Sequence, residues 1–347
     1  MELSDFNYNL PDGLIAQFPA SPRDSSKLFV IDKKTGEFFH RRFKDIGEFL
    51  KKGDIIVLNK SKVFPARLFG EKEGTKGKVE ILLLNPESNN KKDLWQEKWR
   101  IIGKPKIIKN QRIIFSKDFE GEIVEDLGYE KIIKFNKKGE PLRKIIFSLG
   151  KTPIPPYIHS SLNESKLRNK YQTVYAKEFG SVAAPTAGLH FTKSLINKLK
   201  KKGVCFKYIT LHVGLGTFQP IKTEKVEDHK MRKELAFIDK KTADFLNKAK
   251  KQGRRIISVG TTSTRTLESF ADNGKINVRD KMADIFIFPG YKLKFVDALI
   301  TNFHLPKSTP LLLACSFLKK DIILKAYREA IKKNYRFYSF GDAMFIC

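Results

Sequence analysis

Cysteine is scarce. Cys205, Cys315 and Cys347 are the three in the chain, far apart and odd in number, which excludes a disulfide framework and fits no metal-ligand spacing. A reduced protein of the cytoplasm is expected. No stretch approaches the ~20 uninterrupted apolar residues of a membrane helix. The opening MELSDFNYNLPDGL has neither a basic head nor an apolar run, so neither a membrane span nor secretion is expected. The GxxxxGK[ST] phosphate loop is missing, which disfavours nucleoside triphosphate hydrolysis. GLG at 214–216 lacks the third glycine and the helix start of a dinucleotide fingerprint. HExxH, CxxC and paired histidines at helical spacing are missing too, so no metal and no prosthetic group is expected. Negative charge is also in deficit, with 38 Asp and Glu against 67 Lys and Arg and a net charge of +29.

That surplus bounds the partner. A positive field concentrates polyanions and speeds their encounter, as in proteins that bind nucleic acid. A compositional bias toward Lys, Ile, Asn and Phe is the bland alternative. With 41% hydrophobic and 12% aromatic residues, 28 of them Phe, the chain can bury a sizeable core. Its 347 residues suggest two domains, one inserted in the other, and a monomer is expected.

The texture changes near residues 70 and 150. Before 70, apolar runs (LFVI at 28–31, DIIVLN at 54–59) alternate with turn residues. Between them lie KVEILLL, KWRIIG, QRIIFS, GEIVED and YEKIIKFN, short β segments with no helical period, which suggest a small barrel. KTPIPPYI reads as a stiff connector out of it. From Tyr171 onward helix and strand alternate, an α/β pattern. Thr192 caps a helix over 193–202, Asp239 caps another ending near Gly253, and further helices fall at 308–318 and 320–333. Strands are expected at VCFKYITLHV, RIISV, 284–288, 295–301 and 336–340. The fold class is therefore a mixed α/β domain, 1–70 with 151–347, interrupted by a β-barrel over 71–150.

Unusual residues follow the strands: HVGLGTFQP, GTTSTR, PGY, NFHLP and GDAM. Ligands of α/β folds bind outside the strands' carboxyl ends, so these loops are expected to converge on one site. They carry small residues that let backbone amides approach a ligand, together with His190, His212, His304, Arg265 and Asp342. Each loop alone is compatible with ordinary turn chemistry.

Taken together, NYNLPDGLIAQFPASPRDSSKLFV (7–30), LNKSKVFPARLFG (58–70), PIPPYI (153–158), SVAAPTAGLHFT (181–192), LHVGLGTFQP (211–220), VGTTSTRTLES (259–269), IFPGYKLKFVDALITNFHLPKST (287–309) and YRFYSFGDAM (335–344) resemble one family. It is the S-adenosylmethionine:tRNA ribosyltransferase-isomerases of queuosine biosynthesis. The resemblance covers nearly the whole chain except 85–150. It implies tRNA modification in which the ribosyl unit of S-adenosylmethionine, a co-substrate, moves to 7-aminomethyl-7-deazaguanine at the tRNA wobble position. Epoxyqueuosine-tRNA, adenine and methionine would be released. A tRNA methyltransferase and a non-catalytic RNA-binding protein are the alternatives.

Such a reaction needs two proton-transfer groups and a dry crevice. His190 sits before the Thr192 cap, where the helix field favours a neutral imidazole. Asp342 is the expected carboxylate for adenine, placed at a strand's carboxyl end, with His212 and His304 as rivals. All three histidines could instead hold loops together by hydrogen bonds. Thr186, Gly188, Gly214, Gly216, Thr217, Thr261, Thr262, Arg265, Asn302 and His304 are expected to bind the co-substrate. Arg23, Lys62 and Arg67, near the domain junction, and Tyr157 in the connector are expected to bind tRNA; Arg67 tied to a strand carboxylate is the alternative. Two positions depart from the family pattern. Arg232 stands where a second histidine is common, and Lys27 stands where arginine is usual.

Overall fold

The structure is a computed structural model and describes residues 1–87, 94–155, 157–158, 162–214, 221–278 and 281–347. After short 3-10 turns come β1 (Lys27–Ile31), β2 (Phe38–Arg42), β3 (Ile55–Asn59) and β4 (Ser61–Val63). Then follow β5 (Arg67–Lys72), β6 (Lys78–Pro86), β7 (Lys98–Lys104), β8 (Arg112–Ser116), β9 (Phe119–Leu127) and β10 (Glu130–Phe135). Next are α1 (Gly139–Leu149), α2 (Glu164–Lys170), β11 (Glu178–Ser181), α3 (Lys193–Lys201), β12 (Cys205–Leu211), β13 (Glu234–Phe237) and α4 (Lys240–Lys251). The chain ends with β14 (Ile256–Val259), α5 (Gly260–Phe270), β15 (Ala271–Asp272), β16 (Lys275–Ile276), β17 (Lys281–Ala283), β18 (Ala298–Asn302), α6 (Thr309–Ala314), α7 (Lys320–Lys332) and β19 (Ala343–Ile346).

Nine of the described strands form one sheet in the order β17-β13-β12-β3-β14-β18-β19-β1-β2. Strands β12, β3, β14 and β18 are mutually parallel, whereas β19 is antiparallel to β18 and parallel to β1. The central strands are buried throughout, as strands covered on both faces must be. Their alternation divides the core: Ile56, Leu58, Ile257 and Ile300 pack with Leu195 and Leu199 of α3 on one face. Ile55, Val57, Ile256 and Leu299 pack with Leu246, Leu267 and Tyr327 on the other. The Thr192 and Asp239 caps are present, accepting from Leu195 N and Thr242 N.

The second body is a closed barrel, β10-β7-β6-β5-β8-β9, filled by Leu68, Ile81, Trp99, Ile101, Ile113 and Ile133. A mixed α/β architecture carrying a small barrel is thus the fold. The chain enters the barrel through β5 and returns beside it, Arg67 N donating to Lys151 O and Lys151 N to Arg67 O. Residue 71, the boundary suggested by texture, falls inside β5.

Several sequence expectations need correction. The barrel segment also contains a helix, α1, whose Leu142 and Ile146 pack into the barrel core. GTTSTR is not a loop but the start of α5: Thr264 and Thr266 donate their hydroxyls to Gly260 O and Thr262 O, satisfying inside the helix the groups that would otherwise favour a turn. DIFIF at 284–288 is not a strand, because the Arg265 guanidinium takes the carbonyls of Ala283 and Ile285. RFYSF at 336–340 is not a strand either. The Asp342 carboxylate accepts from Arg336 N at 2.8 Å and folds this segment into a turn, with Tyr338 at φ 71°. The last strand is β19, so Asp342 precedes its amino end. The helix expected over 308–318 stops at Ala314.

Candidate active site

The carboxyl ends of β12, β3, β14 and β18 and the amino ends of β19 and β1 share one edge of the sheet. A cavity of about 380 Å³ opens there. Its walls come from the loop before α3 (Pro185, Thr186), from Gly260 to Thr262, from 301–308, and from Tyr338 and Ser339. The segments after β12, β14 and β18 therefore do converge, through Val213, through Gly260–Thr262 at the start of α5, and through Asn302 and His304. PGY does not take part: Glu268, 1% exposed, accepts from Tyr291 Oη and from the amides of Lys294, Phe295 and Val296, holding that segment away.

Of the residues expected at a co-substrate site, Thr186, Thr261, Thr262, Asn302 and His304 line the cavity. Gly188 does not. A Cβ there would stand 1.9 Å from Tyr175 Oη, so this glycine permits close packing behind the wall. Gly214 N donates to Glu234 Oε1 at 2.9 Å. Glu234 is in turn ion-paired with buried Arg265, whose remaining donors go to backbone carbonyls. Arg265 thus ties β13, β17 and α5 together. Gly216 and Thr217 lie outside the described residues.

His304 lines the cavity, the one histidine to do so among the described residues. Its Nε2 is 2.8 Å from Thr301 Oγ1, and its backbone is gripped by the Tyr327 and Tyr8 hydroxyls. Burial pushes its pKa down to about 3, so the ring is neutral at pH 7.

His190 lies one layer deeper, 4% exposed, with Nδ1 2.9 Å from Ser26 Oγ and Nε2 3.0 Å from Asn302 Oδ1. Asn302 Nδ2 donates to Tyr338 O and Ser339 O, so its oxygen faces His190 and Nε2 carries the ring proton. Nδ1 then accepts from Ser26. Burial lowers this pKa to about 4 against the opposing hydrogen bond that Nε2 donates to Asn302. Both nitrogens are engaged, and His190 reaches the cavity through Asn302.

Asp342, 1% exposed, accepts from Lys27 N at 3.0 Å, Arg336 N at 2.8 Å and Arg336 Nη2 at 3.0 Å, away from the cavity wall. His212 packs against Gly180, its Nδ1 buried and unpartnered among the described residues. Burial lowers its pKa to about 4, despite Glu178.

The expected tRNA contacts surround the domain junction. Arg67 pairs with Glu80 of β6 at 3.1 Å and donates to Ile154 O in the connector. Lys62 Nζ stands 4.5 Å over the Phe179 ring. Arg23 donates to the carbonyls of Asn169, Lys170 and Gln172 at the end of α2. Tyr157 is different: its ring is 4.2 Å from that of Tyr338, its hydroxyl bonds Ser339, and it lines the cavity. Sequence reasoning missed Glu268, Glu234, Ser26 and Thr301, polar residues whose importance comes from burial. Among the described residues no three His, Cys, Asp or Glu side chains gather as metal ligands, and no helix is long and apolar enough to cross a membrane.

A parallel-centred sheet with its cavity at a crossover edge, carrying a separate barrel, defines an α/β enzyme. The comparisons with known proteins agree on which one. The model of the family described as "Queuosine biosynthesis protein" matches residues 3–346, and the chain belongs to that family. It is 48% identical over 350 residues to the S-adenosylmethionine:tRNA ribosyltransferase-isomerase of Desulfitobacterium hafniense, and 47% over 346 residues to that of a Sulfurihydrogenibium species. Both alignments cover all of each chain. Among solved structures it is similar to the S-adenosylmethionine tRNA ribosyltransferase of Thermotoga maritima, with 35% identity, a TM-score of 0.54, and coverage of 99% of this chain and 100% of that one.

Proposed function

We propose that this chain is an S-adenosylmethionine:tRNA ribosyltransferase-isomerase acting in the cytoplasm as a monomer. It would move the ribosyl unit onto 7-aminomethyl-7-deazaguanine at the tRNA wobble position and release adenine and methionine. The observation that carries the reading is the cavity itself. It is large enough for a nucleoside amino acid, it lies at the strand ends, and it presents small residues and one neutral histidine.

The sulfonium of the co-substrate acidifies the adjoining 5′ carbon, and a base must take that proton while adenine leaves with one. His304 is the neutral imidazole at the wall and is the group we assign to proton transfer. Asn302, held by His190, offers an oriented amide wall; Thr186, Thr261 and Thr262 complete the co-substrate site. Asp342 fixes the turn that carries Tyr338 and Ser339. Lys62, Arg67 and Arg23 are the basic residues we assign to an anionic tRNA, and Tyr157, paired with Tyr338, offers a ring in the cavity wall against which a base can pack.

The decisive assay incubates the protein with labelled S-adenosylmethionine and acceptor tRNA. Free adenine and methionine are expected. S-adenosylhomocysteine would mark a methyltransferase, and tRNA binding with neither product would mark a non-catalytic module.

A further inference from the structure

Helix α5 has eleven residues, begins at Gly260 with φ 82°, and has no side-chain cap. Asn163, Thr192, Asp239 and Ser308 cap α2, α3, α4 and α6. The amides of a first helical turn have no acceptor within the helix, and Gly260, Thr261 and Thr262 all line the cavity. A second, independent feature lies in the same place. Thr262 is 6% exposed, and its buried Oγ1 has no hydrogen-bond partner among the described residues. That oxygen is 3.6 Å from where a Cβ would stand on Gly260, so it lies against the first turn, whose Gly260 and Thr261 line the cavity together with Ala187. Thr264 and Thr266, further along, have carbonyl partners one turn back. A buried hydroxyl without an acceptor is unfavourable until something supplies one.

An anion supplies it. Helix amino ends attract negative charge through free amides and the macrodipole. The described cavity wall includes Lys307 and no Asp or Glu, so nothing there repels an anion. We propose that the amino end of α5 with Thr262 Oγ1 is the subsite for the α-carboxylate of S-adenosylmethionine; this rests on the reading of the cavity as the co-substrate site. The sheet order then sets the ligand's direction. Helix α5 leaves β14, and the Tyr157–Tyr338 pair stands by the turn entering β19, two strand spacings or about 10 Å away. The purine lies toward the tyrosines, and the sulfonium lies between, beyond the end of β18 where His304 stands.

Binding to the protein alone tests this, with S-adenosylmethionine and decarboxylated S-adenosylmethionine, which differ only in the carboxylate. Wild-type protein is expected to hold the first roughly tenfold or more tightly, as loss of hydrogen bonds to a charged group implies. Thr262→Val removes the hydroxyl but keeps the shape; it should weaken S-adenosylmethionine by about tenfold and leave the decarboxylated compound unchanged, while Thr262→Ser keeps wild-type behaviour. Equal affinity of wild-type protein for both compounds overturns the subsite even if Thr262→Val does not fold. So does a Thr262→Val variant that weakens both alike, or one that loses tRNA binding only, which would assign the end of α5 to a phosphate. Failure of folded wild-type protein to bind either compound is distinguishable: it removes the co-substrate reading of the cavity, and the subsite with it.

Discussion

Asn302 Oδ1 stands 3.0 Å from His190 Nε2, and this contact makes a buried histidine the support of the cavity wall. Because the Asn302 amide also holds Tyr338 O and Ser339 O, one side chain joins β18 to the turn before β19. His190→Ala and Asn302→Ala are expected to lower adenine release by about 10²-fold each, the scale of a displaced wall, and the double variant should be little worse than either. His190→Gln can still donate to Asn302 and should restore most activity. A proton carrier could not be replaced in this way, so an inactive, folded His190→Gln protein would return His190 to the chemistry.

Asp342 gives a different expectation. Its carboxylate closes the turn over 336–342 through the amide and guanidinium of Arg336, which is 34% exposed, and ties that turn to β1 through Lys27 N. Asp342→Asn should lose about 1–3 kcal/mol of stability in urea unfolding, since a buried group loses a charged partner. Adenine release per folded molecule should stay close to wild type. A stable variant with turnover abolished would instead place this carboxylate on adenine.

What could be read from the sequence follows from what each element depends on. Caps at Thr192 and Asp239, the apolar runs of β3 and β14 and the short barrel strands are local signals, and they appear as expected. The errors arise where a distant polar side chain decides the backbone. Arg265 takes the carbonyls of 283 and 285, and Asp342 folds 336–340, and neither contact leaves a trace in hydrophobic periodicity. The edge bearing the site was legible because it needs only the order of strands and loops. Which histidine faces the cavity was not, since His190, His212 and His304 all follow small or apolar residues, and only packing separates them.

His304 carries the assigned proton-transfer role. His304→Gln keeps a side-chain amide near Thr301 and should fold, bind S-adenosylmethionine with little change, and lose adenine release by about 10²- to 10⁴-fold. Binding and turnover must separate. Near-full turnover in this variant would reduce His304 to packing beside Tyr327.

The same three histidines, His190 buried and His212 and His304 largely so, make stability depend on pH. Folded pKa values of about 4 for His190 and His212 and about 3 for His304 lie below the ordinary 6.5, with burial the first cause for each. As pH falls below 6.5 the unfolded chain takes up protons that the folded chain refuses. Their contribution is therefore complete above about pH 7 and is lost as the pH falls toward 4, with each fully titrating histidine adding a slope of about 1.4 kcal/mol per pH unit. Urea midpoints should drop steeply between pH 7 and 5. His212 is the cleanest probe, because its Nδ1 has no partner among the described residues. His212→Gln should remove about one third of that slope; an unchanged slope would mean that His212 is protonated in the folded protein.

The basic residues at the junction separate into free charge and tied charge. Arg23 bonds three carbonyls at the end of α2, so its guanidinium anchors a helix terminus. Arg23→Ala should therefore cost stability, about 1–3 kcal/mol, in the absence of tRNA. Lys62 makes no ion pair among the described residues; its Nζ lies 4.5 Å over the Phe179 ring, a contact that neutralises no charge and leaves donors of the ammonium for a phosphate. Lys62→Ala should leave stability nearly unchanged and flatten the dependence of log affinity for tRNA on log salt by about 0.7–0.9, the loss of one phosphate contact. Arg67 stands between them, since Glu80 and the Ile154 carbonyl already occupy part of its guanidinium, and a phosphate would have to displace or share Glu80. Arg67→Ala is expected to flatten the salt slope less than Lys62→Ala does. If Arg67 gave the larger change, the pair with Glu80 would be a resting contact that opens when tRNA binds, and measuring the slope again in Glu80→Gln would reveal it.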